Sequence, residues 1–169
     1  MPSPPPLPAR DAAVGVHRLL GARSATLATA ESLTGGLIGA VLTDVAGASA
    51  TYRGGVVAYA TEVKARVLGV PEALLAEHGA VHPDVAAHMA HGVRRLLTAT
   101  YGLAVTGVAG PEPQDGRPVG TVFAAVCGPG GPAEVAGFHL SGDRARIRCD
   151  TADQALWLLH ETVAGTTAK

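Results

Sequence analysis

The sequence predicts an α/β protein, a three-layer α/β/α sandwich around a mixed, partly parallel sheet. Three observations predict it. Helical and strand-like segments follow the order α β α β α α α β β β α along 169 residues, a pattern that buries a sheet between layers of helices. The strand expected at Gly54–Ala60 is apolar on both faces, as a helix-covered strand requires. The last two strands are joined by Gly128-Pro-Gly-Gly-Pro132, which suits an antiparallel hairpin with a long loop.

Each element has its own signal. Asp11–Leu20 reads as a helix with Val16, Leu19 and Leu20 on one side and Gly21 as a stop. Ser24–Ala30 is a short β-rich run. Glu31-Ser-Leu-Thr-Gly-Gly36 forms a turn into a helix over Leu37–Val45. Gly47–Arg53 reads as a loop or irregular helix before the Gly54–Ala60 strand. Thr61 is placed to cap a helix holding Glu62, Val63, Lys64, Val67 and Leu68, which ends at Gly69-Val-Pro71. Pro71–His78 is a further short helix. Pro83–Thr100 is the clearest amphipathic helix, with Val85, Met89, Val93, Leu96 and Leu97 at the helical period. Gly102–Gly107 is a third strand, and Val108–Pro118 a turn-rich loop. Val119–Cys127 and Glu134–Leu140 make the hairpin. A closing helix over Asp143–Val163 carries Ile147, Thr151, Ala155, Leu158 and Leu159 on one face. Residues 10–165 are expected to form one domain behind a disordered Pro-rich tail, residues 1–9.

Composition excludes several classes of function. An apolar content of 47% against 16% charged residues rules out a disordered chain, which lacks the apolar surface to offset ordering entropy. Net charge is −1 and no basic stripe runs along the chain, so a nucleic-acid partner is not expected; Arg94–Arg95 and Arg144–Arg146–Arg148 read as solvated helix faces. No stretch approaches the roughly 20 apolar residues of a bilayer span. Cys127 and Cys149 lie far apart outside any Cys-x-x-Cys motif, which favours a reduced, cytoplasmic setting. His78 and His82, and His88 and His91, have helix-compatible spacing, but no acidic or Cys partner completes a ligand set, so no metal is expected.

The chemistry-bearing candidates are few. Ser32 falls where a strand gives way to a helix, with Gly35 and Gly36 leaving the backbone uncovered. Free N–H groups there suit a phosphate or a developing oxyanion. An ordinary N-capping hydroxyl suits the same spacing. A hydroxyl nucleophile needs a base. Lys64 follows the strand ending in Tyr59 and has apolar neighbours Val63, Val67 and Leu68. Desolvation would favour its neutral amine, the form that accepts a proton from Ser32; read alone, a surface helix charge is the better reading. Tyr59 is placed to hydrogen-bond the lysine or relay a proton. Thr106, Gly107 and Gly110 form a second Gly-rich turn at a strand C-terminal end, where α/β sheets bind ligands.

Taken together, Ala30-Glu-Ser-Leu-Thr-Gly-Gly-Leu37, Tyr52-Arg-Gly-Gly-Val-Val-Ala-Tyr59, Lys64-Ala-Arg-Val-Leu-Gly-Val70 and Thr106-Gly-Val-Ala-Gly-Pro111 resemble the CinA C-terminal domain family. Gly79-Ala-Val81, Met89-Ala-His-Gly92, Pro118-Val-Gly-Thr-Val122 and Ser141-Gly-Asp-Arg144 extend the likeness. The resemblance implies hydrolysis of the carboxamide of nicotinamide mononucleotide, giving nicotinic acid mononucleotide and ammonia without a cofactor; a non-catalytic nucleotide-binding regulatory module and a hydrolase of another small amide are the alternatives. It implies Ser32 as nucleophile, Lys64 as base and Tyr59 as a further catalytic residue. Glu31, Thr34, Gly35, Gly36, Thr106, Gly107 and Gly110 are carried over as substrate-binding. A homodimer is the expected assembly. Two departures bear on substrate preference: His82 stands where the family has serine, and the Gly110–Gly116 loop reads Glu112-Pro-Gln-Asp-Gly. Larger members carry an N-terminal domain resembling molybdopterin-binding proteins; nothing here matches it, so its pyrophosphatase activity is not expected.

Overall fold

The computed structural model describes residues 9–166; the expected Pro-rich tail lies outside them except for Ala9. The elements run α1 (Arg10–Ala22), β1 (Leu27–Glu31), α2 (Leu37–Thr43), a 3-10 turn (Ala48–Ala50), β2 (Tyr52–Val57), α3 (Thr61–Leu68), α4 (Glu72–His78), α5 (Pro83–Leu96), β3 (Tyr101–Gly107), β4 (Thr121–Cys127), β5 (Glu134–His139) and α6 (Arg144–Gly165). The five strands form one mixed sheet in the order β2-β1-β3-β4-β5. β1 runs parallel to both β2 and β3, and β4 runs antiparallel to both of its neighbours, β3 and β5.

The two faces of the sheet are built differently. Leu27, Leu103, Val105, Val122 and Val126 face α1, α2 and α6, packing on Val16, Leu20, Ile38, Ile147 and Leu159. The other face presents Ala28, Ala30, Ala104 and Ala125 to Val85, Met89 and Val93 of α5. Small residues let α5 sit close. A Cβ at Gly102 would overlap the Ala90 carbonyl oxygen, and one at Gly92 would overlap that of Leu68. Gly92 thus sets how near α3 lies to α5, and α3 carries Lys64.

Several expectations need correction. The second strand spans Tyr52–Val57 rather than Gly54–Ala60 and is an edge strand, with Val57 50% exposed. Its apolar run reads as doubly buried, but an edge position leaves alternate side chains facing out. Ala60, not Thr61, occupies the capping position of α3. Helix α5 stops at Leu96 because Thr98 turns the chain with φ +52°. Leu96 is consequently half exposed. Among the described residues no helix is long and apolar enough to cross a membrane.

Candidate active site

The site forms where β1 and β3 end side by side. Glu31 pairs with Val105 across the parallel ladder, and the Ser32 amide donates to the Val105 carbonyl at 3.2 Å. Ser32 is thereby fixed one residue past the strand end, 8% exposed. The following turn reverses through Gly35 and Gly36, both in left-handed conformations (φ +60° and +100°) that favour glycine.

Glu31 organises this turn from inside. Its carboxylate, 2% exposed, accepts from Thr34 Oγ1 at 2.6 Å and from the amides of Gly36 (3.0 Å), Ile38 (3.1 Å) and Gly39 (2.8 Å). An anion at the N-terminus of α2 engages donors that the helix itself leaves unpaired. Of the residues expected to bind substrate, Glu31 and the groups it engages are turned inward to hold the turn. The Thr34 hydroxyl and the Gly36 amide serve Glu31, and the Gly35 amide donates to the Ser32 carbonyl at 3.0 Å. Among the described residues, the turn amides without an acceptor are those of Leu33 and Thr34.

Lys64 enters from α3 and is 1% exposed. Its Nζ lies 3.0 Å from Ser32 Oγ, 2.8 Å from the Ala58 carbonyl and 3.2 Å from the Tyr59 carbonyl. No carboxylate touches it among the described residues. Burial lowers its pKa to about 8, with Asp115 and then Glu62 opposing the shift. A neutral amine carries two N–H groups and one lone pair. With two carbonyls taking the hydrogens, the lone pair faces the serine hydroxyl.

Tyr59 meets Lys64 through its backbone rather than its phenol. The ring is 57% exposed, and its hydroxyl accepts from Arg144 Nη2 at 2.8 Å. The expected hydrogen bond between Tyr59 and the lysine is present, with the carbonyl as its acceptor. Arg144 Nη1 also donates to the Gly110 carbonyl at 2.6 Å, so one guanidinium spans the mouth of the cleft. That cleft, about 90 Å³, is lined by Ser32, Leu33, Tyr59, residues 107–110, Glu112, Gln114 and Arg144.

Thr106 does not reach it. Its buried hydroxyl donates to the Ala80 carbonyl at 2.7 Å, while the Ala80 amide donates to Asp115 Oδ2 at 2.9 Å. The two bonds clasp the α4–α5 connection between β3 and the 110–116 loop. Asp115 fits because Gly79 has no side chain: a Cβ there would lie 2.6 Å from the Asp115 side chain. His82 also stands apart from the cleft lining. It caps α5, accepting from the Asp84 amide, and stacks on His78 at a 4.4 Å ring separation.

With the geometry described, comparison with known proteins decides the family. The CinA C-terminal domain profile matches residues 10–163. The chain belongs to the CinA C-terminal domain family. It is 58% identical over 147 residues to a CinA-like protein of Frankia casuarinae, covering 87% of this chain and 34% of that protein. A CinA-like protein of Geobacter sulfurreducens is 51% identical over 145 residues, covering 85% and 35%. The chain thus spans about a third of the length of these curated relatives. Among solved structures, the competence damage-inducible protein A (ComA) of Klebsiella pneumoniae superposes with a TM-score of 0.90 at 36% identity, covering 95% of this chain and 99% of that one. The competence/damage inducible protein CihA of Agrobacterium tumefaciens gives 0.88 at 34% identity, covering 92% and 95%.

Two CinA-domain residues at this site escaped the sequence reading as functional groups, Arg144 and Arg148, whereas Glu112 and Gln114 belong to the loop expected to bear on substrate preference. Arg148 donates to the Leu33 carbonyl at 3.1 Å and the Thr34 carbonyl at 2.8 Å, bracing the serine turn. Arg144 had a legible signal. Asp143 caps α6, which puts Arg144 in the first turn, where the helix dipole disfavours a cation. A cation kept in such a place points to another task.

Proposed function

We propose that this CinA domain is an amidohydrolase that deamidates nicotinamide mononucleotide through Ser32 and Lys64. The observation that carries the reading is the buried Lys64 amine, 3.0 Å from Ser32 Oγ with carbonyls on its other sides. In this mechanism neutral Lys64 takes the Ser32 proton as Oγ attacks the carboxamide carbon. The carbonyl oxygen becomes an oxyanion, and the unengaged amides of Leu33 and Thr34 are its nearest candidate donors. One well-aimed donor of this kind is worth roughly 3–4 kcal/mol. The tetrahedral intermediate collapses by breaking the C–N bond, and Lys64 returns its proton so that nitrogen leaves as ammonia. Water, deprotonated by the same amine, then cleaves the acyl ester to give nicotinic acid mononucleotide and regenerate Ser32. Arg144, at the cleft mouth, is the group suited to the substrate phosphate.

A second reading keeps the chemistry and changes the substrate. Glu112 lines the cleft with Arg144, and a carboxylate beside a phosphate opposes its charge. This favours a small amide with less negative charge. Incubating the purified protein with nicotinamide mononucleotide and with uncharged nicotinamide, then measuring ammonia and acid product, separates the two. Ammonia from the nucleotide that is lost in Ser32→Ala supports the first reading. No ammonia from either compound contradicts both.

A further inference from the structure

A second concavity, about 450 Å³, lies at the C-terminal end of α5 and is lined by His91, Arg94, Arg95, Thr98 and Ala99. It borders the start of β3, whereas Ser32 lies beyond the end of the paired strand β1. Most of a strand separates the two, roughly 20 Å at about 3.3 Å per residue.

Its charge is uncompensated. No lining residue is acidic, and neither Arg94 nor Arg95 pairs with a carboxylate among the described residues. Arg94 is pinned by one edge only, Nε donating to the Thr100 carbonyl at 2.8 Å. Arg53 of β2 is pinned in the same way on the Leu97 carbonyl at 2.7 Å, next to Thr98. These contacts satisfy the Leu97 carbonyl at the end of α5, where cations suit the helix dipole, and the Thr100 carbonyl just before β3. They leave the Nη groups of both guanidiniums, and all of Arg95, without an acceptor among the described residues. The His91 imidazole lines the concavity beside these cations. Its pKa is lowered first by burial, then by Arg94, His88 and Arg95.

We propose that this concavity binds a small phosphate-bearing anion, held by the Nη groups of Arg94 and Arg95 with His91 in its wall. Arg94, held by its Nε, keeps its paired Nη groups free to match phosphate oxygens bidentately, and the unengaged Arg95 adds a second guanidinium. A small anion fits better than a nucleic acid, because the lining carries only two arginines and one histidine, on a chain of net charge −1.

The test is a titration of the full chain with inorganic pyrophosphate at constant ionic strength, following the His91 imidazole by NMR. The expected result is saturable one-to-one binding that raises the His91 pKa. Arg95→Glu and the milder Arg95→Gln should weaken binding at least about tenfold, with unchanged melting and unchanged ammonia release at the serine cleft. Adenosine diphosphate binding as tightly as pyrophosphate marks the phosphates as the whole determinant, and tighter binding marks a nucleotide site; either supports the proposal. A His91 response reproduced by chloride would overturn it. So would binding indifferent to both Arg95 variants, or retention of single-stranded DNA without pyrophosphate binding.

Discussion

The Ala58 carbonyl accepts a 2.8 Å hydrogen bond from Lys64 Nζ, and the amide of the same residue donates to the Glu31 carbonyl at 2.8 Å. One peptide segment beyond β2 therefore ties the lysine to the strand end that carries Ser32. The geometry depends on backbone atoms, so substitution of the exposed Tyr59 side chain leaves both acceptors in place. The lysine itself is what the chemistry rests on.

Activity should rise with pH through the Lys64 pKa. With the folded value at about 8, kcat/KM for ammonia release should climb between pH 7 and 9 and level off above. The sign for stability follows from the same shift. The folded pKa lies below the unfolded value of 10.5, so between the two the unfolded chain binds more protons. Stability contributed by this group therefore increases from pH 8 to 10.5, by roughly 3 kcal/mol at most. Urea unfolding of wild type and Lys64→Met at pH 7.5 and 10 measures it; only the wild type should show this gain.

Glu31→Gln should be strongly destabilising. It removes the charge from an acceptor of four hydrogen bonds and puts an amide group among donors. The expected loss is about 2–3 kcal/mol, read by chemical denaturation. A change under about 0.5 kcal/mol would mean that the carboxylate does not hold the turn.

Tyr59→Phe and Arg144→Ala should act together on substrate binding rather than on proton transfer. Tyr59→Phe removes the hydroxyl that Arg144 holds but keeps the carbonyl that Lys64 holds. The expected outcome is a raised KM, by roughly tenfold or more for Arg144→Ala, with the pH midpoint of kcat still near 8 in both variants. Steady-state kinetics across pH tests this. A displaced midpoint in Tyr59→Phe would restore the phenol as a proton relay.

Gly92→Ala should damage the site from the far side of the core. Its added methyl would meet the Leu68 carbonyl at the end of α3, forcing the lysine-bearing helix outward. A loss of about 1–3 kcal/mol, with reduced ammonia release from the protein that remains folded, is expected. Melting and activity measured together check it.

Much of the fold was legible because its signals are local. The period of α5 and the Gly128–Pro132 hairpin loop each depend on residues close in sequence. Lys64 stood out because apolar residues flank it. What was misread depends on contacts between distant segments. Nothing near Glu31 says that its side chain folds forward onto the helix that follows. The Val56-Val57-Ala58 run looks buried from either side, and only the strand order puts β2 at an edge. Tyr59 pointed to the right place with the wrong atom, since whether a tyrosine offers its phenol or its carbonyl depends on where Arg144 lies, 85 residues later. The Thr106 hydroxyl was assigned to a ligand for the same reason. Its acceptor, the Ala80 carbonyl, belongs to a connection whose position the sequence pattern does not give.

The most direct measurement is the rate of ammonia release from nicotinamide mononucleotide by Lys64→Met, with Ser32 intact and native melting confirmed. If the buried amine activates the serine, the rate falls by at least about a thousandfold and no longer climbs through pH 8. Turnover within a few-fold of wild type would contradict the account, because the hydroxyl would then be finding its base elsewhere.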